Sequence, residues 1–282
     1  MDLQAHHIPL QREHTQGNDG AGRFFFLPGS EGRARRIAQH FAGTEVLESD
    51  RQLNVYLGKL EANDIAVDVG VVSTGMGCPS LDIVVTELIG MGAKHFLRVG
   101  TAGSLQPHEI QVGSLVVASG AVRHEGTSAR YITPEYPSMA DPLLVAALRR
   151  AAHNLNVQHE TYEGIVHSKD SLYGVEMSQG PLAQENHAYM KALAEMGVLA
   201  TEMECAHLFV LSDVYTNTIR PLAQQNLHAN IIRSSGVMAV IGDGDAFSAD
   251  HEAVQRTEQK AIDLALEAAL ELHRYHQQKL QS

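Results

Sequence analysis

The segment from Phe96 to Val117, FLRVGTAGSLQPHEIQVGSLVV, constrains this chain more than any other stretch. Phe96, Leu97 and Val99 around Arg98 read as a buried strand that ends at Gly100-Thr101-Ala102-Gly103. An arginine inside a buried strand is unfavourable unless something pairs with it. A strand that delivers Arg98 to a glycine-rich turn, beside a threonine hydroxyl and bare backbone N–H groups, has the outline of an anion-binding corner. The bland alternative is a tight turn at Gly100 and Gly103, with Arg98 bonded to a carboxylate elsewhere.

Strands and helices interleave on either side of this segment. Strands are expected at residues 23–27, 53–60, 65–72, 94–99, 113–119, 163–167, 199–202 and 230–241. Helices are expected at 31–41, from Pro79 to Gly90 or Gly92, and at 142–155, 183–196, 204–215 and 249–276. With no Pro/Ser linker and no internal repeat, this order predicts one α/β domain around a mostly buried sheet. The stretch 217–230 is polar and interrupted. Hydrophobic residues make up 44% and charged ones 19% of the 282 residues, enough for a sizeable core.

Composition also excludes partners. The net charge of −12 disfavours nucleic acid or an anionic membrane, although a few converging arginines can still hold an anion. No apolar run has membrane-spanning length and the start lacks a signal-peptide core, so a cytoplasmic location is expected. The two cysteines, Cys78 and Cys205, suit a reducing compartment and lack zinc-site spacing. The 16 histidines are scattered without a metal-binding pattern, so no metal is expected.

Four further groups bear on chemistry. Gly29 and Arg33, in Pro28-Gly29-Ser30-Glu31-Gly32-Arg33, stand between a strand and a helix, where N–H groups face an anion; a simple turn with a solvated arginine is the alternative. Arg51 by itself is a surface charge. Thr201-Glu202-Met203-Glu204-Cys205 places two acids one residue apart where a strand turns into a helix, suited to grasping a diol or to starting a helix. Ser73 to Ser80, STGMGCPS, is a glycine-rich loop that permits close backbone approach.

The wording of these segments, above all FLRVGT, closely resembles the nucleoside phosphorylase-I family and, within it, the uridine phosphorylase branch. The likeness runs from about His7 to Glu267, with a weaker patch from about Gly174 to Ile232, and it implies that the polar stretch 217–230 is an insertion. It implies a single-domain three-layer α/β/α sandwich with a mixed central β-sheet over residues 21–282, preceded by a segment, 1–20, that reaches a neighbouring subunit's site. The implied phosphate ligands are Gly29, Arg33, Arg51, Arg98 and Thr101, with Arg51 supplied across a dimer interface. The implied ribose contacts are Glu202, Met203 and Glu204, with His7 from the neighbour. The family reads Gly-Asp-Pro-x-Arg where this chain reads Gly-Ser-Glu-Gly-Arg; glycine and arginine are retained.

At the base pocket the pattern departs. Ala102, Gly103 and Leu172 fall at base-contact positions, but Glu176 stands where the branch has glutamine and Ser178 where it has arginine. No arginine lies between Ala151 and Ile219. Asp243, in Gly242-Asp243-Gly244, sits at or beside the position from which purine-cleaving members protonate the base; it is either that acid or part of a turn.

The resemblance implies reversible phosphorolysis of a uridine-like ribonucleoside, with Arg98 and Asp243 as the candidate catalytic residues. A purine nucleoside phosphorylase is the alternative, ahead of a nucleosidase or a non-catalytic nucleoside-binding protein. Phosphate is a co-substrate and no cofactor is implied. Some members bind potassium through a glutamate next to the interface arginine, but Gln52 stands there, and a neutral amide binds a cation less well. A homo-oligomer, a hexamer built as a trimer of dimers, is also implied.

Overall fold

The run FFFLP is apolar on both faces and suits a strand covered from both sides. The computed structural model describes residues 4–62, 65–219, 231–243 and 246–281. It places this run at Phe24–Pro28 (β1), buried and parallel to both neighbours, Ile65–Val72 (β4) and His95–Ser104 (β5). Beyond β4 lie the antiparallel Val55–Ala62 (β3) and the edge strand Ala42–Leu47 (β2). On the other side β5 pairs with Arg233–Gly242 (β9) in parallel and with Ala200–Glu202 (β8) antiparallel. Thr161–Lys169 (β7) continues from β8, and Leu115–His124 (β6) joins β7 to β9. The described strands thus form one mixed, nine-stranded sheet, half of which curls closed on β5.

Helices cover both sides. Cys78–Met91 (α2) packs with Cys205–Ile219 (α5), and Pro142–Asn154 (α3) packs with His251–Gln281 (α6). Glu31–Ala38 (α1) lies on β1, β3 and β4, and Ala183–Glu195 (α4) rests on a small apolar cluster with Leu105 and Val198. Pro79 opens α2, and Gly92, at φ 105°, closes it in the left-handed region that glycine tolerates. The mixed α/β/α architecture expected from the sequence is therefore present, around one main core.

Two expectations need correcting. The strand through Arg98 does not end at Gly100. It runs on to Ser104, and Gly100 to Gly103 pair with β9 instead of turning. Gly100 serves close packing: a Cβ there would meet Met238 Sδ at 2.6 Å and Arg98 Nε at 3.2 Å. The second is β2, which was not anticipated because its residues are mostly exposed and carry no inward-facing apolar row. Residues 220–230, most of the expected insertion, lie outside the described residues, as does Gly244.

Candidate active site

Arg98 sits at the middle of β5, beside the end of β1, because the two strands pair in register from Phe24 with His95 to Pro28 with Val99. Just beyond β1, Gly29 leads to Ser30, whose hydroxyl caps α1 by accepting the Arg33 N–H at 3.3 Å. These residues line a cavity of about 300 Å³, together with Thr101. Ligand crevices of open α/β sheets form in this way, beyond the carboxyl ends of parallel strands.

The two acids expected to grasp a diol both reach Arg98. Its Nη2 donates to Glu204, and its Nε lies 3.4 Å from Glu202. Glu204 also accepts the Gly77 N–H at 2.7 Å. Glu202 accepts the N–H groups of Glu204 and Cys205, at 2.8 and 3.0 Å, and the Ser168 hydroxyl, so it caps the start of α5. Burial pulls the Arg98 guanidinium down, but Glu204 and Glu202 outweigh it and hold it above the usual arginine range. Burial pushes the Glu204 carboxyl up; Arg98 pulls it back and Glu202 adds to the rise. Arg98 is 4% exposed, yet its Nε and Nη1 have no hydrogen-bond partner. A buried cation with free donors at a cavity wall can accept an anion.

A second part of the cavity wall is built from β7 and the single helical turn Leu172–Glu176. Lys169, at the end of β7, donates to Glu176 at 2.5 Å and to the Glu202 carbonyl at 3.2 Å. Both side chains are buried, and burial raises the Glu176 carboxyl although Lys169 pulls it down. Leu172, Ala102, Gly103, Thr201, Ile241, Phe247, Met76 and Met203 complete the lining, giving a mostly apolar slot with a donor and an acceptor side by side.

A family model of the phosphorylase superfamily matches residues 23–274. The chain belongs to this superfamily. It is 36% identical to a uridine phosphorylase of Treponema pallidum over 88% of each chain. It is 31% identical to a guanosine phosphorylase of Halorubrum lacusprofundi over 87% of this chain and 92% of that one. The crystal structure of uridine phosphorylase from Vibrio fischeri superposes with a TM-score of 0.76 at 27% identity, covering 95% of this chain and 97% of that one.

Within this superfamily member the cavity gathers Gly29, Arg33, Arg98, Thr101, Ala102, Gly103, Leu172, Glu176, Glu202, Met203 and Glu204. Four expected residues lie outside its lining. Arg51 is exposed in a turn after Ser49. The His7 ring bonds Glu87 at 2.6 Å, and the backbone N–H groups of His7 and Ile8 donate to the same carboxylate, so the amino-terminal segment is tied to α2 of its own chain. Ser178 stands at φ 46° just past the helical turn. Asp243 is exposed, and its carboxylate accepts the Ala246 N–H at 3.2 Å. Among the described residues no His, Cys, Asp or Glu cluster is placed to hold a metal, and no helix is long and apolar enough to cross a membrane.

Sequence reasoning missed Lys169, Met76 and Phe247. A lysine closing the apolar strand IVHSK was a usable signal, because a lysine at such a strand end is either solvated or paired inside. Phe247 carried none: an aromatic residue in a polar loop looks the same whether or not it lines a cavity.

Proposed function

We propose that this protein is a nucleoside phosphorylase that cleaves a uridine-like ribonucleoside with inorganic phosphate, giving ribose 1-phosphate and the free base. The observation that carries this reading is Arg98, buried at the cavity wall with its Nε and Nη1 making no hydrogen bond and its Nη2 donating to Glu204. In this reading phosphate lies on Arg98, Arg33, Thr101 and the Gly29 amide, and the ribose hydroxyls donate to Glu204. Those hydroxyls take over the acceptor that Arg98 occupies, which frees guanidinium N–H groups for phosphate.

Phosphate then attacks C1′ as the C1′–N bond breaks, and the bonding pair leaves with the base. The sugar passes through oxocarbenium character, as in glycoside cleavage, and the phosphate charge beneath it stabilises that state. No enzyme nucleophile and no cofactor is needed. Lys169 supplies the cation at the base end that the missing arginine suggested was absent. Glu176 beside it accepts a ring N–H while Lys169 donates to an adjacent carbonyl, the pattern that uracil presents. The exposed position of Asp243, outside the cavity lining, gives a purine reading through that residue no support.

We further assign Arg51 and His7 to a neighbouring subunit's site in a homo-oligomer, the exposure of Arg51 being what supports this. We also assign the enzyme to the cytoplasm and to nucleoside salvage, as the sequence reading expects. The test is one assay: uridine, thymidine, inosine and adenosine offered separately, with and without phosphate. Uridine cleavage that requires phosphate is expected; equal base release in phosphate-free buffer overturns the reading. Sedimentation of the same preparation reads the assembly, and a monomer overturns that part.

A further inference from the structure

Two arginines of α1 share one carboxylate of α6. Glu258 gives Oε1 to Nη2 of Arg33 and Oε2 to Nη1 of Arg36, the second at 2.6 Å. The remaining terminal nitrogen of Arg33, Nη1, donates to the Val99 carbonyl at 3.2 Å, and its Nε is buried with no hydrogen-bond partner. A guanidinium is planar and rigid, so fixing both terminal nitrogens fixes the direction of the Nε–H. Arg33 lines the cavity, whereas Arg36 and Glu258 do not.

We propose that Glu258 is a positioning residue for phosphate. It holds Arg33 in one orientation at the cavity wall through one oxygen and is itself held by Arg36 through the other. The inference rests on the reading of the arginine end of the cavity as the phosphate site. Burial lowers the Arg33 guanidinium most and Glu258 pulls it back up, while Arg98 and Arg36 are each close enough to Arg33 to lower it further. Without a carboxylate between them, Arg33 and Arg36 would move apart, and Arg33 would leave its place beside Arg98.

Two simpler roles make different predictions. A plain counter-charge cancels part of the field that attracts phosphate, so its removal would tighten phosphate binding. A mere tie between α1 and α6 would alter melting and leave substrate affinities alone. Positioning alone predicts weaker phosphate binding with nucleoside binding preserved.

The experiment varies phosphate at saturating uridine, and uridine at saturating phosphate, for the wild type, Glu258→Gln, Glu258→Ala and Arg36→Ala. For Glu258→Ala, KM for phosphate is expected to rise about tenfold while KM for uridine stays within about twofold. Glu258→Gln, whose carbonyl still accepts from one arginine, and Arg36→Ala are each expected to raise it about threefold. The isosteric Gln variant carries the test if the alanine variant does not fold. An unchanged or lowered KM for phosphate in a folded Glu258 variant overturns the proposal. A wild type that cleaves uridine without needing phosphate overturns the underlying reading instead.

Discussion

On one part of the cavity wall Arg98 keeps two buried nitrogens, Nε and Nη1, without a hydrogen bond, whereas on another Lys169 commits its ammonium to Glu176 and a backbone carbonyl. Both cations are buried and both face acids. The difference lies in what is left over. Unpartnered buried donors are destabilising unless a ligand satisfies them, so the arginine end is prepared for an anion. The lysine end is already neutral in sum and offers a donor beside an acceptor, which matches the polar edge of an uncharged ring. In the proposed reading, unsatisfied donors on the cavity wall, and not charge alone, mark where phosphate binds.

The largest effect that tests this contrast is at Arg98. Arg98→Ala should lower kcat/KM for phosphorolysis about a thousandfold, and it should also destabilise the fold by leaving Glu204 and Glu202 without their cation. Arg98→Lys separates these effects, because it keeps a charge but not the planar fork. It should raise KM for phosphate far more than KM for the nucleoside, read by steady-state kinetics. The reverse pattern would mean that the two ends have been assigned the wrong way round.

Lys169→Gln is the matching lesion at the other end. It should lower kcat/KM for uridine about 30-fold, through a lost charge-assisted hydrogen bond and a carboxylate left unpaired, with KM for phosphate unchanged. Equal movement of both KM values would erase the distinction between the ends.

The smallest effect concerns pH. His167, which bonds Thr201 at 3.0 Å and His124 at 3.1 Å, is pushed down to about 3 by burial and then by Lys169 and His124. Its unfolded value is about 6.5. The folded state therefore binds fewer protons, and this contribution to stability is complete above pH about 6.5 and is lost as pH falls toward 3. Arg98, held above its usual range, does not titrate in that window. Urea midpoints should fall between pH 7.5 and 4.5, and the fall should be shallower in His167→Gln. An identical slope in that variant would remove His167 from the acid response; His95, also pushed down to about 3 by burial and by neighbouring cations, would then be the next group to test.

Much of the architecture was legible because burial leaves a local trace. The FFFLP run, the proline and glycine that bound α2, and the apolar strand of Arg98 each signal their setting within a few residues. The end of β5 was not legible, since glycines mark close packing and turns with the same letters. At the site, Arg98 stood out as a charge inside an apolar run, whereas Gly29, Arg33 and Glu204 were singled out by the family resemblance, because their positions alone left a turn or a helix start open. Glu258 could not be picked out, because nothing near it in the sequence tells what it pairs with, and the strand-end Lys169 signalled only that it is either solvated or paired inside.

The sequence by itself determined an α/β chain with a buried sheet, an arginine that must find an acid, and a glycine-rich entry to α1. Only the tertiary structure decided that the acid is Glu204, 106 residues away, that Lys169 neutralises Glu176, and that Arg33 is held by Glu258 across 225 residues. Periodicity encodes which side chains are buried, a property of each segment alone. The partner of a buried charge depends on strand order and on where the sheet closes, and these are properties of the whole chain.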